Sequence, residues 1–405
     1  MKKVFVSFAV LFALVLNFFT AVPAHAAAPL GNLPANMVFD EAKFSSYIDS
    51  KLAGNTVGYA MVLYKDGKWL TQSAAGYSVL KKDVPSILGE GLSLRPETRM
   101  NIASVTKPIT ATAVLKALQV NPNVSLDSKV ADFLPKNWTI GPGVKDLSFK
   151  DFMSQYTGMN DNKGFTDIVR LRQWIKDGVT RPKSEYKYIN GNLAIFRIAL
   201  PYLVATASER KNYDYLAASD DIALNNSVSD KFIEIVRNTV FTPMGITNVS
   251  MNDTGEYQTR FYNKNNNAAG STAGDWSKKG GGGGWYMSAL ELGKFMANLR
   301  YNDNILAPST RKLMDDNFLG WQDTAPTAWP QLHGKYGDYR GHGGLLKWND
   351  DDPNKRTGMV SVIVNFPSGI QGVLLINSFG SYPNKEQLMT DAFDQAVVLK
   401  PAKKA

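Results

Sequence analysis

Residues 100–118 read MNIASVTKPITATAVLKAL, a polar turn followed by an apolar segment with helical spacing. The spacing predicts a buried helix over 105–120, with Ser104 at its beginning. Because Ser104 and Lys107 are three residues apart, a helix places the hydroxyl and the amine on one face. Burial lowers the pKa of a lysine, and a neutral Lys107 can remove the proton from Ser104. Pro108 lacks a backbone N–H and disfavours helix before it, so we expect an irregular helix start.

The Ser-x-x-Lys pattern is not specific by itself. It also begins at four other serines, which are Ser78, Ser184, Ser208 and Ser309. Candidate partners for Ser104 are Tyr188 and Asn190, which precede an apolar helix and can both point into one cleft. The alternative is a loop tyrosine with a helix-capping asparagine, and Tyr382-Pro383-Asn384 shows that the pattern recurs.

Two glycine-rich segments lie in the last third of the chain. His342 lies within YRGHGGLL, residues 339–346, where small residues let a substrate backbone approach a strand edge. Gly280–Gly284 are five consecutive glycines. This run is interpreted either as a flexible turn or as backbone that passes close to another element.

Together these motifs resemble the serine β-lactamase and penicillin-binding protein superfamily. The similar branch contains class C β-lactamases, D-alanyl-D-alanine carboxypeptidases, D-aminopeptidases and esterases. The resemblance covers nearly the whole chain after the N-terminus. It rests on six segments in the family's order: MNIASVTKPITATAVLKAL, VSLDSKVADFLP, LSFKDFMSQYTGM, YINGN, FTPMGI and GGGGWYMSALELGKF.

The resemblance implies roles for residues in these motifs. Ser104 is the nucleophile that forms an acyl-enzyme, and Lys107 and Tyr188 share the proton transfers. In this scheme Lys107 is the proposed base and Tyr188 relays the proton to the leaving group. Asn190 orients Lys107 and binds the acyl side of the substrate. The backbone N–H groups of Ser104 and Leu345 form the oxyanion hole.

Two motifs depart from the class C pattern. His342-Gly343-Gly344 stands where class C β-lactamases carry Lys-Thr-Gly. This His-Gly-Gly variant resembles the motif of carboxypeptidases, D-aminopeptidases and esterases more closely. We expect His342 to bind a substrate carboxylate or to stabilise charge near Tyr188, and Gly344 to contact the substrate. Residues 155–158, Gln-Tyr-Thr-Gly, replace the commoner His-Thr-Ser-Gly, and we expect this element to be structural.

The implied fold is α/β, of the mixed α+β kind, with an antiparallel sheet flanked by helices and an inserted helical lobe. We expect residues 37–120 and 275–399 to form the sheet lobe and residues 121–274 to form the mainly helical lobe. Asp66-Gly67 between two apolar runs predicts a hairpin over 58–73.

The end of the chain predicts a second hairpin and a last helix. Two β-rich runs, 359–367 and 372–379, are separated by Pro367-Ser368-Gly369. An amphipathic segment follows over 386–399. Strand hairpins near both ends of the chain predict a sheet completed by distant segments.

The N-terminus predicts export. Residues 1–26 contain two lysines, an apolar run and Ala24-His25-Ala26, which is the order of a secretory signal. A membrane anchor, which needs about 20 apolar residues, is the less fitting interpretation. We expect cleavage after Ala26, a secreted or periplasmic bacterial protein, no remaining membrane anchor, and a basic tail at 400–405.

Composition excludes several classes of site. The chain has no Cys and three His, so thiolate or His-built metal centres, disulfides and a required cofactor are not expected. The net charge is +9, and removing Lys2 and Lys3 leaves +7. This charge suits peptidoglycan or another anionic wall polymer as partner, or only a well-solvated surface; the basic residues are too dispersed for nucleic acid.

The expected function is therefore hydrolysis of a peptide, amide or ester that contains a D-amino acid, such as a cell-wall fragment. The alternative enzyme classes are a carboxylesterase and a weak class C-like β-lactamase. A non-catalytic wall-binding module with the same fold is a third possibility. Such a module is expected to lose at least one of Ser104, Lys107 and Tyr188, and all three are present.

Overall fold

A computed structural model describes residues 30–161, 166–253, 255 and 257–401. The expected signal (1–26) and the last four residues of the expected tail lie outside these ranges. The strands are β1 Met37–Phe39, β2 Gly58–Lys65, β3 Lys68–Val79, β4 Leu92–Ser93, β5 Met100–Asn101, β6 Tyr262–Asn263, β7 Tyr286–Met287, β8 His333–Gly334, β9 Gly337–Asp338, β10 Arg340–Trp348, β11 Thr357–Phe366, β12 Ile370–Ile376, β13 Ser378–Phe379 and β14 Val397–Leu399. The α-helices are α1 Glu41–Leu52, α2 Thr106–Val120, α3 Phe149–Met153, α4 Ile168–Asp177, α5 Asn190–Ala194, α6 Phe196–Val204, α7 Ala207–Ser219, α8 Asp221–Val236, α9 Ala289–Tyr301, α10 Pro308–Asp316 and α11 Lys385–Ala396.

Six strands of the main sheet are antiparallel neighbours in the order β10-β11-β12-β2-β3-β4. Two short strands, β6 and β13, also belong to this sheet and pair with each other in parallel. The predicted hairpin over 58–73 is confirmed as β2 and β3. Asp66 and Gly67 have φ of 51° and 78°, as a two-residue type I′ turn requires. The predicted second hairpin is also confirmed, as β11 and β12, with Ser368 and Gly369 at positive φ in the turn.

The two faces of the sheet carry separate apolar clusters, because side chains alternate along each strand. On β2, Met61 and Leu63 face the cluster that α1 and α11 cover. Ala60 and Val62 face the other cluster, which is covered by α9 and continues into the helical part of the molecule. The fold is thus the mixed α/β sheet-and-helix architecture predicted from sequence.

The last helix is shorter than predicted. α11 ends at Ala396, and Val397–Leu399 form β14, which pairs with β1. The β-branched Val397 and Val398 favour a strand there, and pairing with Met37–Phe39 joins the two ends of the described chain.

The boundary between the two expected lobes differs from the sequence-based ranges in two places. Tyr262–Asn263, expected in the helical lobe, form β6 and pair with β11 and β13 of the sheet. α2, expected in the sheet lobe, packs against α6 and α8 and is buried on nearly all sides. Pro108 lies in the first turn of α2, where backbone N–H groups have no intrahelical acceptor, so the helix accommodates it.

None of the helices in the described ranges has both the length and the apolar character needed to cross a membrane.

Candidate active site

Ser104 is the last residue of a constrained turn, residues 101–104, between β5 and α2. Ala103 has φ of 48°, in the left-handed region that non-glycine residues rarely adopt. Its N–H donates a hydrogen bond of 2.9 Å to Asn101 Oδ1, and Ser361 Oγ donates one of 2.7 Å to the Ile102 carbonyl. These contacts fix the turn and leave the Ser104 side chain half-buried at the start of α2.

Lys107 lies one helical turn after Ser104 and is fully buried. Its Nζ lies 2.9 Å from Ser104 Oγ, 2.8 Å from Asn190 Oδ1 and 2.6 Å from the carbonyl oxygen of Gly282. Burial disfavours the charged ammonium and lowers the pKa of Lys107 well below its usual value of 10.5.

Burial favours the neutral amine of Lys107. Such an amine has two N–H donors and one lone pair. Asn190 Oδ1 and the Gly282 carbonyl oxygen can only accept hydrogen bonds, so they take both donors. The lone pair is then left for the Ser104 hydroxyl, 2.9 Å away. This arrangement allows Lys107 to accept the Ser104 proton.

The glycine run Gly280–Gly284 is buried and passes close to other elements, so the second of its two interpretations is confirmed. Its first three carbonyl groups accept hydrogen bonds from Arg197 (3.0 Å), Thr110 (2.7 Å) and Lys107 (2.6 Å). Arg197 is itself fully buried, and desolvation lowers its pKa to about 10. The run is therefore a fixed backbone segment that supplies a hydrogen-bond acceptor to Lys107.

Tyr188 lies against Lys107, whose Nζ is 4.7 Å from the centre of the Tyr188 ring. Desolvation raises the pKa of Tyr188, the nearby Ser104 hydroxyl opposes the rise, and the charge of Glu386 adds to it. The phenol is therefore protonated at neutral pH. The similar segment at 382–384 is a helix cap instead, since Asn384 Oδ1 accepts the Glu386 N–H at 2.9 Å.

The Gln-Tyr-Thr-Gly element supports the loop that carries Tyr188. Gln155 Oε1 accepts hydrogen bonds of 2.9 Å from the Ile189 N–H and 2.7 Å from Asn192 Nδ2. Thr157 Oγ1 donates to Asn192 Oδ1 at 3.0 Å. These contacts support a structural role for the element.

His342 is buried beside Tyr188, with 5.8 Å between the ring centres. Its Nδ1 lies 2.8 Å from the Gly343 carbonyl oxygen, which can only accept, so Nδ1 carries the proton and Nε2 keeps a lone pair. Desolvation lowers the pKa of His342 well below 6.5. Lys107, when protonated, and Lys385 lower it further, while the hydrogen bond to the Gly343 carbonyl opposes the shift. At neutral pH His342 is therefore an uncharged hydrogen-bond acceptor through Nε2.

The free edge of β10 presents backbone N–H groups beside Ser104. Among the described residues, the Ser104 N–H has no acceptor. The Gly343 N–H points away from β11, because it donates to Gln322 Oε1 at 2.8 Å. N–H directions repeat every second residue along a strand, so the Leu345 N–H also points to the free edge. Gly344 packs on the turn that precedes Ser104, since a Cβ there would lie 2.7 Å from that backbone.

The structure thus brings together the seven residues that the sequence predicts. It also adds neighbours that the sequence did not indicate, above all Lys385 and Glu386 on the opposite face of β10. Their charged groups lie 2.9 Å apart, and a Cβ on Gly343 would lie 1.7 Å from Glu386 Oε1. No sequence motif indicates these contacts, because they depend on how α11 packs against β10.

Comparisons with known proteins agree with this geometry. A family model described as Beta-lactamase matches residues 44–390. No curated protein matches the sequence closely enough to count as a relative. The octameric penicillin-binding protein homologue from Pyrococcus abyssi is 17% identical with a TM-score of 0.62, over 87% of this chain and 77% of that one.

Two further solved structures have a similar fold. The β-lactamase/D-alanine carboxypeptidase from Yersinia pestis, complexed with citrate, is 16% identical with a TM-score of 0.59, over 88% of this chain and 98% of that one. The D-stereospecific amidohydrolase from Streptomyces sp. is 14% identical with a TM-score of 0.57, over 87% and 98%. With the family model spanning most of its length, the chain belongs to the Beta-lactamase family, whose members are serine hydrolases.

Proposed function

We propose that the protein is an exported hydrolase that forms an acyl-enzyme at Ser104 and acts on D-amino-acid-containing peptides, amides or esters, such as cell-wall fragments. One observation carries the proposal, the 2.9 Å contact between Ser104 Oγ and the buried Nζ of Lys107. A serine hydroxyl is a weak nucleophile at neutral pH, and an adjacent neutral amine is a base that can activate it.

In the first step, Ser104 Oγ attacks the substrate carbonyl carbon while its proton moves to Lys107 Nζ. The carbonyl oxygen becomes negatively charged and is stabilised by the N–H groups of Ser104 and Leu345. The bond to the leaving group then breaks. The Tyr188 phenol gives its proton to the leaving group and recovers one from Lys107, so no net proton is lost.

In the second step, a water molecule attacks the acyl-enzyme. The water gives one proton, through Tyr188 or Lys107, to Ser104 Oγ as the ester bond breaks, and the acid product leaves. Asn190 keeps Lys107 in position through both steps, because its Oδ1 accepts from Nζ at 2.8 Å. Each positioned acid or base typically contributes about 10²- to 10⁴-fold to the rate.

D-amino-acid substrates are supported by two observations. His342-Gly343-Gly344 replaces the lysine motif of class C β-lactamases, and two structural neighbours are a D-alanine carboxypeptidase and a D-stereospecific amidohydrolase. Since His342 is uncharged at neutral pH, it offers an acceptor and not a fixed positive charge. Export is supported by the order of residues 1–26, and we expect the mature N-terminus to be Ala27.

The test is covalent labelling of the mature protein with a fluorophosphonate, followed by mass spectrometry of the labelled peptide. We expect one label, on Ser104, and none on Ser104→Ala. Labelling of another serine, or equal labelling of Ser104→Ala, contradicts the proposal. Hydrolysis of p-nitrophenyl esters, D-alanyl peptides and a chromogenic cephalosporin then separates the esterase, peptidase and β-lactamase alternatives.

A further inference from the structure

The segment 322–329, which we name the closing segment, covers part of the free edge of β10. The Gln322 N–H donates a hydrogen bond of 2.9 Å to the Gly341 carbonyl, and the Gly343 N–H donates one of 2.8 Å to Gln322 Oε1. Both contacts use backbone groups that an extended ligand would otherwise use. At residues 341–343 this edge is therefore occupied by the protein itself.

The same segment reaches across to the helical side of the cleft. The ring of Trp329 lies 5.9 Å from that of Tyr188, centre to centre. Asp323 Oδ2 accepts a hydrogen bond of 2.6 Å from the Tyr156 hydroxyl, and the Asp323 carbonyl accepts one of 2.9 Å from the Trp329 N–H. The closing segment therefore joins both walls of the cleft at the His342 end.

The other end of the edge is open. Leu345 is 45% exposed, and its N–H points to the free edge. A strand advances about 3.4 Å per residue, so about 7 Å separate the Leu345 N–H from the occupied Gly343 N–H. One extended residue spans at most about 3.6 Å. Two extended residues beyond the scissile carbonyl would span about 7 Å and reach the Gly343 N–H, which Gln322 already occupies. The distance therefore holds one residue freely, and a longer chain must turn away.

The position of Tyr188 decides which half of the substrate lies at the closed end. In the proposed mechanism Tyr188 gives its proton to the leaving group. Tyr188 contacts both His342 and Trp329, which belong to the closed end. The leaving group therefore departs toward the closing segment, while the acyl part extends past Leu345 along the open edge.

We infer that the closing segment, through Gln322 and Trp329, limits the leaving group to about one residue, so the enzyme removes terminal groups and does not cut within longer chains. The inference rests on the proposed acyl-enzyme function. The acyl-enzyme mechanism by itself sets no limit on the length of the leaving group, so this selectivity is a separate property. A single D-amino acid, a small amine or a small alcohol fits the closed end.

The test compares two thioesters that share an acyl group but have leaving thiols of different length. Both carry N-acetyl-D-alanine; the leaving thiols are mercaptoacetate and mercaptoacetyl-glycyl-glycine. We expect kcat/KM to be at least about tenfold higher for the short thioester, as expected for a substrate part that does not fit a pocket. In Trp329→Ala and in the Gln322→Ala, Trp329→Ala double variant the ratio should fall toward one.

The control is Trp69→Ala, a change at an exposed tryptophan of β3, which should keep the wild-type ratio. Equal kcat/KM for both thioesters in the wild type overturns the inference, as does an unchanged ratio in both Trp329 variants. Failure of the proposed function is a different result, since it appears as absent fluorophosphonate labelling at Ser104 or as undiminished thioester hydrolysis by Ser104→Ala.

Discussion

The Nζ of Lys107 lies 2.6 Å from the carbonyl oxygen of Gly282, so the helix that carries the candidate base is fixed to a buried glycine run 175 residues away. The contact occupies one of two N–H groups of a neutral amine, and Asn190 occupies the other. The lone pair is thereby directed at Ser104. Orientation of the base thus depends on backbone that takes no part in the reaction.

The first prediction follows from this contact. A Cβ on Gly282 would lie 2.9 Å from the Asn190 carbonyl oxygen, so Gly282→Ala must displace the run and its hydrogen bond to Lys107. We expect fluorophosphonate acylation to slow by about 10- to 100-fold, within the usual contribution of a positioned base.

The matched control for that change is Gly283→Ala. Gly283 is the next glycine of the same run, and a Cβ there would lie 3.3 Å from the Trp276 ring, its nearest neighbour. We expect acylation close to wild type. Equal effects of the two substitutions would show that the carbonyl of Gly282 does not orient Lys107.

A second prediction concerns the base and the proton relay. Lys107→Met keeps most of the side-chain volume but removes the amine, and Tyr188→Phe removes the phenol proton. Each should slow acylation by about 10²- to 10⁴-fold. Thermal denaturation should show both variants folded. A wild-type acylation rate in either variant would show that the substituted residue has only a structural role.

The third prediction is the pH dependence of acylation. Burial lowers the pKa of Lys107 well below 10.5, so the neutral, basic form gains population at lower pH than for an ordinary lysine. The acylation rate should therefore rise with pH and reach its plateau well below pH 10.5. Stopped-flow labelling between pH 5 and 11 measures the midpoint, and a midpoint near 10.5 would be contrary to the proposed environment of Lys107.

His342 provides the control for the pH profile. Its own pKa is lowered well below 6.5 by desolvation, so it is uncharged at neutral pH and above. His342→Asn should change the rate but leave the midpoint where it is. A midpoint that moves with this substitution would assign the titration to His342.

The fourth prediction tests the apolar cluster under the sheet. Phe366 and Phe393 stack with ring centres 4.4 Å apart, and both are almost fully buried. Phe393→Ala should lower the free energy of unfolding by about 3 to 5 kcal/mol, the usual effect of removing a buried aromatic side chain. Trp69→Ala, at a 53% exposed position, should change it by about 0.5 kcal/mol or less. Urea denaturation of the two variants measures both values.

Sequence patterns predicted those parts of the fold that depend on neighbouring residues. The hairpin at Asp66-Gly67 follows from a turn that needs two residues with positive φ, and Asp-Gly meets that need. The helix after Ser104 follows from apolar spacing. The extent of the last helix was wrong because Val397–Leu399 pair with Met37–Phe39, a partner that no local pattern shows.

The sequence by itself determined the family, the antiparallel hairpins and the i, i+3 pair of Ser104 and Lys107, because each depends on residues close together in the chain or on motifs in order. Tertiary structure alone decided that the Gly282 carbonyl orients Lys107, that His342 is buried and uncharged, and that Gln322 occupies the edge of β10. These contacts join segments that come together only when the sheet and helices pack. Desolvation, which lowers the pKa of both Lys107 and His342, exists only in the packed state.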